Sequence, residues 1–137
     1  MGGEGESVLL SSIDGLLPHE EVIPKNLNRM MRWLVKTGRF MQPILVDGDS
    51  KVILDGHHRW NAAKALGLDK IPVVAVDYMG SDDVTVCVWP GCGIDSISKR
   101  QVVEMGVSGN LFPPKTSRHT FDLEIPRIGF SLDELMD

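Results

Sequence analysis

The chain has 137 residues, of which 42% are apolar and 24% are charged, and its 14 basic and 19 acidic residues give a formal net charge of −5. A chain of this length forms one domain and buries roughly two-thirds of its unfolded surface, so its composition excludes wholesale disorder, and the acidic balance argues against a dedicated nucleic-acid binder. No apolar run reaches the ~18 residues of a membrane helix and the acidic start MGGEGES is unlike a signal peptide, so we expect a cytoplasmic protein with no membrane partner.

The amino-terminal part is predicted to contain a lead, a strand and a loop. Residues 1–7 are rich in glycine and glutamate, which predicts a flexible lead before a single domain over 8–137. The apolar run at 8–10 predicts an edge strand. The segment PHEEVIP at 18–24 has a proline at each end, which favours a loop.

The clearest helical pattern begins at Asn26. The residues at successive helical spacings form one apolar face, namely Leu27, Met30, Met31, Leu34 and Val35. Asn26 can cap the first turn, and Gly38 suits the left-handed conformation that ends a helix.

The middle of the chain alternates between strand and helix patterns. Apolar runs at 44–46 and 52–54 flank the turn sequence at 47–50, which predicts a hairpin. The sequence DGHHRWNAAKALG then predicts a strand–turn–helix unit over 52–67, with Trp60 packed on the sheet. Further strands are predicted at 71–78 and 84–89, where Cys87 is expected to be a small buried hydrophobe. With Cys92 it makes too few cysteines for a disulfide framework.

The carboxyl-terminal part is predicted to be less regular. Ser98 and Gln101 have capping-box spacing for a short helix to about residue 105. The stretch 106–120 contains two consecutive prolines and is predicted to be irregular, and Ser131 with Glu134 indicates a last helical turn. Because helices and strands intermingle, we predict a mixed α/β (α+β) fold with a small mixed sheet flanked by helices.

All four histidines fall in predicted loops or at a helix start, in three polar clusters: PHE at 18–20, DGHHR at 55–59 and KTSRH at 115–119. In DGHHR, Asp55 ends a strand and Gly56 permits a sharp turn into a helix. The free N–H groups and dipole of a helix start suit phosphate. Arg59 can add a bidentate grip and Asp55 can hold a divalent cation. The alternative is an ordinary strand-to-helix turn with two surface histidines.

The other two clusters are weaker on their own. KTSRH suits a phosphate or carboxylate, although a solvated basic loop explains it as well. In PHE, either Glu20 or its neighbour Glu21 can serve as a general base, or the segment is an exposed acidic loop. Trp89 ends a strand, where it either caps the core or forms the wall of a pocket.

The sequence DGHHRW resembles the ParB/sulfiredoxin superfamily, whose members carry a related Gly-x-x-Arg turn at a helix start. Sulfiredoxins place a catalytic cysteine directly before the His-Arg pair, where this chain has His57, so we do not expect sulfinate repair. ParB partition proteins carry a Gly-Glu-Arg-Arg box and a following helix-turn-helix domain. Here His57 and His58 replace Glu-Arg, and no clear recognition helix follows, so DNA partitioning is not expected either.

The sequence looks most like the archaeal free L-serine kinases. The shared features are PHE at 18–20, DGHHRW at 55–60, the tryptophan strand at 84–89 and FxPKTxRH at 112–119, in the family's order from about residue 9 to 120. Longer members carry extra sequence between the tryptophan strand and PKTxRH. Here Trp89 and Lys115 are 26 positions apart (115 − 89), so this is similar to a minimal version of the fold.

This resemblance implies a kinase that transfers a phosphoryl group from ADP or ATP, with Mg²⁺, to the hydroxyl of free L-serine, giving O-phospho-L-serine for cysteine synthesis. It implies that Glu20 is the catalytic base and that Asp55 is a catalytic or metal-associated carboxylate. The implied nucleotide- and phosphate-binding residues are Gly56, His57, His58, Arg59, Lys115 and Thr116, and the implied substrate-binding residues are Trp89, Thr116, Ser117, Arg118 and His119. The alternatives are a non-catalytic nucleotide-binding regulator and a ParB-like DNA- or partner-binding module.

Overall fold

A computed structural model describes residues 7–136, so all but the last residue of the predicted lead lies outside it. The described helices and strands, in chain order, are β1 (Leu9–Ser12), α1 (Pro24–Thr37), β2 (Arg39–Phe40), β3 (Ile44–Asp47), β4 (Ile53–Asp55), α2 (His57–Ala65), β5 (Lys70–Val76), β6 (Val84–Val88), α3 (Lys99–Ser108), β7 (Ser117–Phe121) and β8 (Phe130–Ser131). Short 3₁₀ turns follow β1 and β8 at Ile13–Gly15 and Asp133–Leu135.

The central sheet has the strand order β1-β5-β3-β4. Strands β3 and β5 are parallel, whereas β1 pairs with β5 and β4 pairs with β3 in antiparallel fashion. The predicted edge strand and the predicted hairpin are both present. The mixed α/β fold class is therefore confirmed.

Apolar side chains pack on both faces of this sheet. Because side chains alternate along a strand, Ile44 and Val46 of β3 enter the core beneath α1 and α2, while Leu45 enters a second core with Val102 of α3. Trp60 is buried in the first core, and its indole N–H donates to the Ile13 carbonyl at 3.0 Å, as the prediction of a packed tryptophan requires.

Helix α1 begins two residues before the predicted start. Pro24 is its first residue and Ile23 precedes it in an extended conformation, without a side-chain cap, so Asn26 lies inside the first turn. The first turn has no intrahelical use for its N–H groups, and proline therefore fits there. Gly38 ends the helix in the left-handed conformation, with φ of 69°, as predicted.

The prediction of an irregular stretch over 106–120 is wrong at both of its ends. Helix α3, which has the predicted capping box at Ser98, continues to Ser108. Residues 117–121 form β7, which pairs antiparallel with β6, so His119 lies within a strand rather than in a loop. The polar sequence SRHTF has no strong strand propensity of its own, and β6 supplies its pairing partner.

Cys87 is exposed, contrary to the sequence prediction. Strand β6 alternates strictly, and the structure turns Val86 and Val88 inward and Cys87 outward. Within residues 7–136 no helix is both long enough and apolar enough to cross a bilayer.

Candidate active site

A cavity of about 290 Å³ lies where the three polar clusters meet. The start of α2 forms one wall, the segment around Glu20 forms the floor, and the loop before β7 with the start of β7 forms the opposite wall. The three clusters are separated by up to about a hundred positions in sequence, and they border one pocket near the lower end of the size range of ligand sites.

The α2 wall consists of the turn before α2 and the first two residues of the helix. Gly56 is the residue before the helix, with φ of 115°, and a Cβ there would overlap the side chain of Ile44. This close approach requires glycine. Asp55 and Gly56 border the cavity, and the first amides of α2 have no intrahelical acceptors. The wall therefore has the backbone arrangement that binds phosphate.

The two histidines of this wall fasten the neighbouring segment. His57 Nε2 accepts the backbone N–H of His19 at 3.1 Å, and His58 Nε2 accepts that of Ile23 at 3.3 Å. Each ring must therefore be unprotonated at Nε2. Burial lowers the pKa of both rings, and nearby Lys115 lowers that of His58 further. Both imidazoles are neutral, and their hydrogen bonds hold the Glu20 segment against α2.

Glu20 is fixed by the opposite wall. Its Oε1 accepts the N–H and the hydroxyl of Ser117, both at 2.8 Å, and its Oε2 accepts the N–H of Lys115 at 3.1 Å. Backbone pairing of the 19–21 segment with Phe112 brings the Glu20 segment and the loop before β7 together. Lys115 has φ of 61°, unusual for a residue other than glycine, and its N–H donates to the carboxylate. Glu21 is exposed and also borders the cavity.

Trp89 forms part of the cavity wall rather than a cap on the core. Its indole N–H donates to the Ser117 carbonyl at 3.1 Å. The Lys115 Nζ lies 4.9 Å and the Arg118 Cζ 4.8 Å from the centre of its ring, which are cation–π distances. Both cations border the cavity, so this wall suits an anionic ligand.

Two more histidines belong to a polar cluster, His19 behind the cavity and His119 at its border. His19 is fully buried, and His119 Nε2 is 2.8 Å from the hydroxyl of Tyr78. Burial lowers the pKa of His19 to about 4 and that of His119 to about 3, and the positive charges of His19 and Lys99 lower that of His119 further. Tyr78 was not singled out from the sequence, since an isolated tyrosine after a strand gives no local signal.

The structure does not bring Arg59 or Thr116 into the cavity. The Arg59 guanidinium donates to the carbonyls of Gln42 and Pro43 at 3.2 and 2.8 Å, and lies 3.3 Å from Asp55 Oδ2. These contacts occupy it on the far side of the β4–α2 turn, so the predicted phosphate grip has no support. Thr116 is buried, and its hydroxyl donates to the Pro113 carbonyl at 2.7 Å.

Among residues 7–136 no three histidine, cysteine or carboxylate side chains converge as a ready-made metal site. Asp55 borders the cavity with its side chain 48% exposed. Magnesium commonly takes one or two carboxylates and fills its remaining positions with water and substrate phosphate. Asp55 therefore fits a magnesium ion that arrives with a nucleotide.

The fold and the cavity define a small α/β domain with a polar, anion-suited site at a helix start. The family model described as "ParB N-terminal domain" matches residues 6–88 of the chain. The chain belongs to the ParB N-terminal domain family.

Curated relatives are archaeal. The chain is 38% identical over 95 residues to an "ATP-dependent L-serine kinase" of Staphylothermus marinus, a match covering 66% of this chain and 37% of that protein. It is 49% identical over 74 residues to a "ParB-like protein" of Sulfolobus acidocaldarius, covering 54% and 36%. It is 40% identical over 81 residues to the "ADP-dependent L-serine kinase SerK" of Thermococcus kodakarensis, covering 56% and 33%. The chain thus spans about a third of the length of these relatives.

Solved structures share the fold. A "free serine kinase in complex with AMP" superimposes with a TM-score of 0.87 at 20% identity, over 97% of this chain and 95% of that one. The predicted resemblance to the free L-serine kinases is confirmed, and the fold is theirs.

Proposed function

We propose that this chain is a nucleotide-dependent kinase that phosphorylates the hydroxyl of free L-serine, with ADP or ATP as donor. One observation carries the proposal: the Glu20 carboxylate and the free amide end of α2 border the same cavity. A base and a phosphate cradle facing one space are what phosphoryl transfer to an alcohol needs. The names of the relatives support the same reaction.

In the proposed mechanism, the α2 amides and Lys115 hold the phosphates of the donor. Glu20 accepts the serine hydroxyl proton as that oxygen forms its bond to the terminal phosphorus and the bond to the bridging oxygen breaks. ADP leaves as AMP, or ATP as ADP, and the product is O-phospho-L-serine. Magnesium held by Asp55 would neutralise charge on the phosphates.

The opposite wall is proposed to bind the amino acid. Arg118 borders the cavity beside Trp89 and suits the serine carboxylate, because a guanidinium can donate two parallel hydrogen bonds to it. His119 also borders the cavity, and its low pKa keeps it neutral and able to bond without adding charge. We propose that the reaction takes place in the cytoplasm and supplies phosphoserine for cysteine synthesis.

A second candidate is a nucleotide-binding regulator with little turnover. The 49% identity over 74 residues to the relative named "ParB-like protein" favours it, since that name assigns no kinase activity.

The test is ³¹P NMR of the purified protein with Mg²⁺ and L-serine, run separately with ADP and with ATP. The wild type should produce phosphoserine from at least one donor. Glu20→Gln should lower turnover by roughly 10²- to 10⁴-fold while nucleotide affinity stays within about threefold. The matched control is Glu21→Gln, which removes the neighbouring carboxylate and should retain activity. Nucleotide binding without any phosphoserine would support the regulator instead.

A further inference from the structure

A chain of hydrogen bonds leads from the Glu20 carboxylate into the protein interior. Glu20 Oε1 lies 2.8 Å from Ser117 Oγ, which lies 2.9 Å from His19 Nε2, and His19 Nδ1 lies 2.7 Å from the Ile53 carbonyl oxygen. Ser117 and His19 are both buried, His19 completely. The chain therefore begins at the cavity and ends at a strand of the central sheet.

This series of hydrogen bonds has three contacts, but with Glu20 ionised and His19 neutral it has only two hydrogens to fill them. A carbonyl oxygen only accepts, so His19 Nδ1 carries the ring proton and Nε2 of the neutral ring is bare. The Ser117 hydroxyl has one hydrogen for two acceptors, His19 Nε2 and the ionised Glu20 Oε1. With Glu20 ionised and His19 neutral, one of these two contacts lacks a hydrogen, and one added proton completes the chain.

The added proton reaches Glu20 rather than His19, because Glu20 borders the cavity and His19 is fully buried. Among residues 7–136, the titratable groups that face His19 are His57 and His119, whose rings lie 4.5 and 5.7 Å from its ring, and Glu20 through Ser117. The uncharged ring of Phe112 also lies beside it. Burial lowers the pKa of His19 to about 4, so the ring stays neutral. Of the described partners of the Glu20 carboxylate, Ser117 Oγ alone can also accept a hydrogen, and it lies beside Oε1.

We propose that Ser117 and His19 are positioning residues that stabilise Glu20 in both of its protonation states through rotation of the Ser117 hydroxyl. With Glu20 ionised, the hydroxyl donates to Oε1. When Glu20 has taken a proton, Oε1–H donates to Ser117 Oγ and the hydroxyl turns to donate to His19 Nε2. The proton lost by the substrate hydroxyl is thus held within a complete chain. The catalytic part of this assignment depends on the proposed kinase function, whereas the coupling of the three residues does not.

The coupling can be measured without turnover by NMR of the free protein, labelled with ¹³C at glutamate carboxyls and ¹⁵N at histidines. As Glu20 is protonated, the His19 Nε2 signal should move slightly to lower frequency with the same midpoint while the ring keeps its single Nδ1 proton, because the bare nitrogen then accepts a hydrogen bond. Protonation of the His19 ring itself is a separate step, recognised by a much larger change of the Nε2 signal. This change should be absent in Glu20→Gln and in Ser117→Ala, and present in Ser117→Thr, which keeps a hydroxyl. A His19 signal that ignores the Glu20 titration, or follows it in Ser117→Ala, would overturn the proposal.

Kinetics then test the catalytic role. Ser117→Ala should lower kcat on the order of 10- to 100-fold, since the base loses a partner in each state, with the KM for nucleotide within about twofold. Ser117→Thr should restore most of kcat. A loss confined to KM, or no rescue in a folded Ser117→Thr protein, would contradict the positioning role. If the wild type makes no phosphoserine but the NMR coupling is present, the kinase function fails and the hydrogen-bond switch remains.

Discussion

The two walls of the cavity use backbone and side chains in opposite ways. On the α2 wall the helix start, whose first amides have no intrahelical acceptors, borders the cavity. The side chains of His57, His58 and Arg59 bond to the backbone of other segments. On the β7 wall the side chains of Lys115 and Arg118 border the cavity, while backbone N–H groups brace Glu20. One wall is set by a local turn, and the other by bonds that join residues 97 positions apart.

A short sequence motif therefore predicts the path of its backbone better than it predicts the roles of its side chains. DGHHR is contiguous, so its turn follows from local chemistry. The partners of its side chains lie in the 19–23 and 42–43 segments, which local patterns do not bring near it. Perturbing each wall should therefore have a different signature.

The largest effect is expected from breaking the turn of the α2 wall with Gly56→Ala. The new Cβ would overlap the Ile44 side chain, and alanine would have to adopt the unfavourable φ of 115°. The free energy of unfolding should therefore fall by about 3 kcal/mol or more. Gly67→Ala is the matched control, because Gly67 also has a positive φ, 81°, but open space around it. It should cost about 1 kcal/mol. Urea unfolding of both variants tests this; equal losses would mean that the close approach to Ile44 is unimportant.

The next effect concerns His19, which is buried behind the cavity, and His119, which borders it. The pKa values of His19 and His119 in the folded protein, about 4 and about 3, lie below the ordinary value near 6.5. The unfolded chain therefore binds more protons as the pH falls below 6.5, and stability is lost in that direction. Each histidine should contribute a loss of about 2 kcal/mol between pH 7 and pH 5.

Chemical unfolding at a series of pH values measures this dependence. His119→Gln should reduce the pH dependence of the free energy of unfolding by about the contribution of one histidine. Because surface carboxylates contribute equally to both proteins, the difference from the wild type isolates His119. An unchanged slope would show that His119 titrates normally in the folded protein.

The smallest effects are expected from removing Arg59 of the α2 wall and Arg118 of the β7 wall, which should differ in whether stability or ligand affinity falls. Arg59→Ala should lower the free energy of unfolding by about 1–2 kcal/mol, because two backbone carbonyls lose their donor, while nucleotide affinity stays within about threefold. Arg118→Ala should leave stability within about 0.5 kcal/mol and weaken the binding of the anionic substrate several-fold. Calorimetric titration beside thermal unfolding tests the pair. A large affinity loss in Arg59→Ala would restore its predicted phosphate grip.

Much of the fold follows from local sequence patterns. The apolar face of α1, the β3–β4 hairpin and the Ser98 capping box are all local signals, and they predict the fold class. Strand β7 was missed because SRHTF gains its extended form from pairing with β6. Cys87 was placed on the wrong face because valine and cysteine alternate in β6, so either set of positions can be buried.

The site divides in the same way. The polar clusters indicate which regions form it, since polar residues next to a turn or helix start have a physical reason to bind anions. The roles of individual side chains depend on partners distant in sequence. The link from Glu20 through Ser117 to His19 exists only once the 19–21 segment has paired with Phe112.

The left-handed backbone of Lys115 has a consequence for protein engineering. A non-glycine residue at φ of 61° carries conformational strain, so a stability screen that ignored activity would favour glycine at this position. That variant would keep the N–H that holds Glu20 and lose the cation beside Trp89. Directed evolution for heat resistance would then select a better-folded and poorer ligand-binding protein, unless each round also selected for ligand binding.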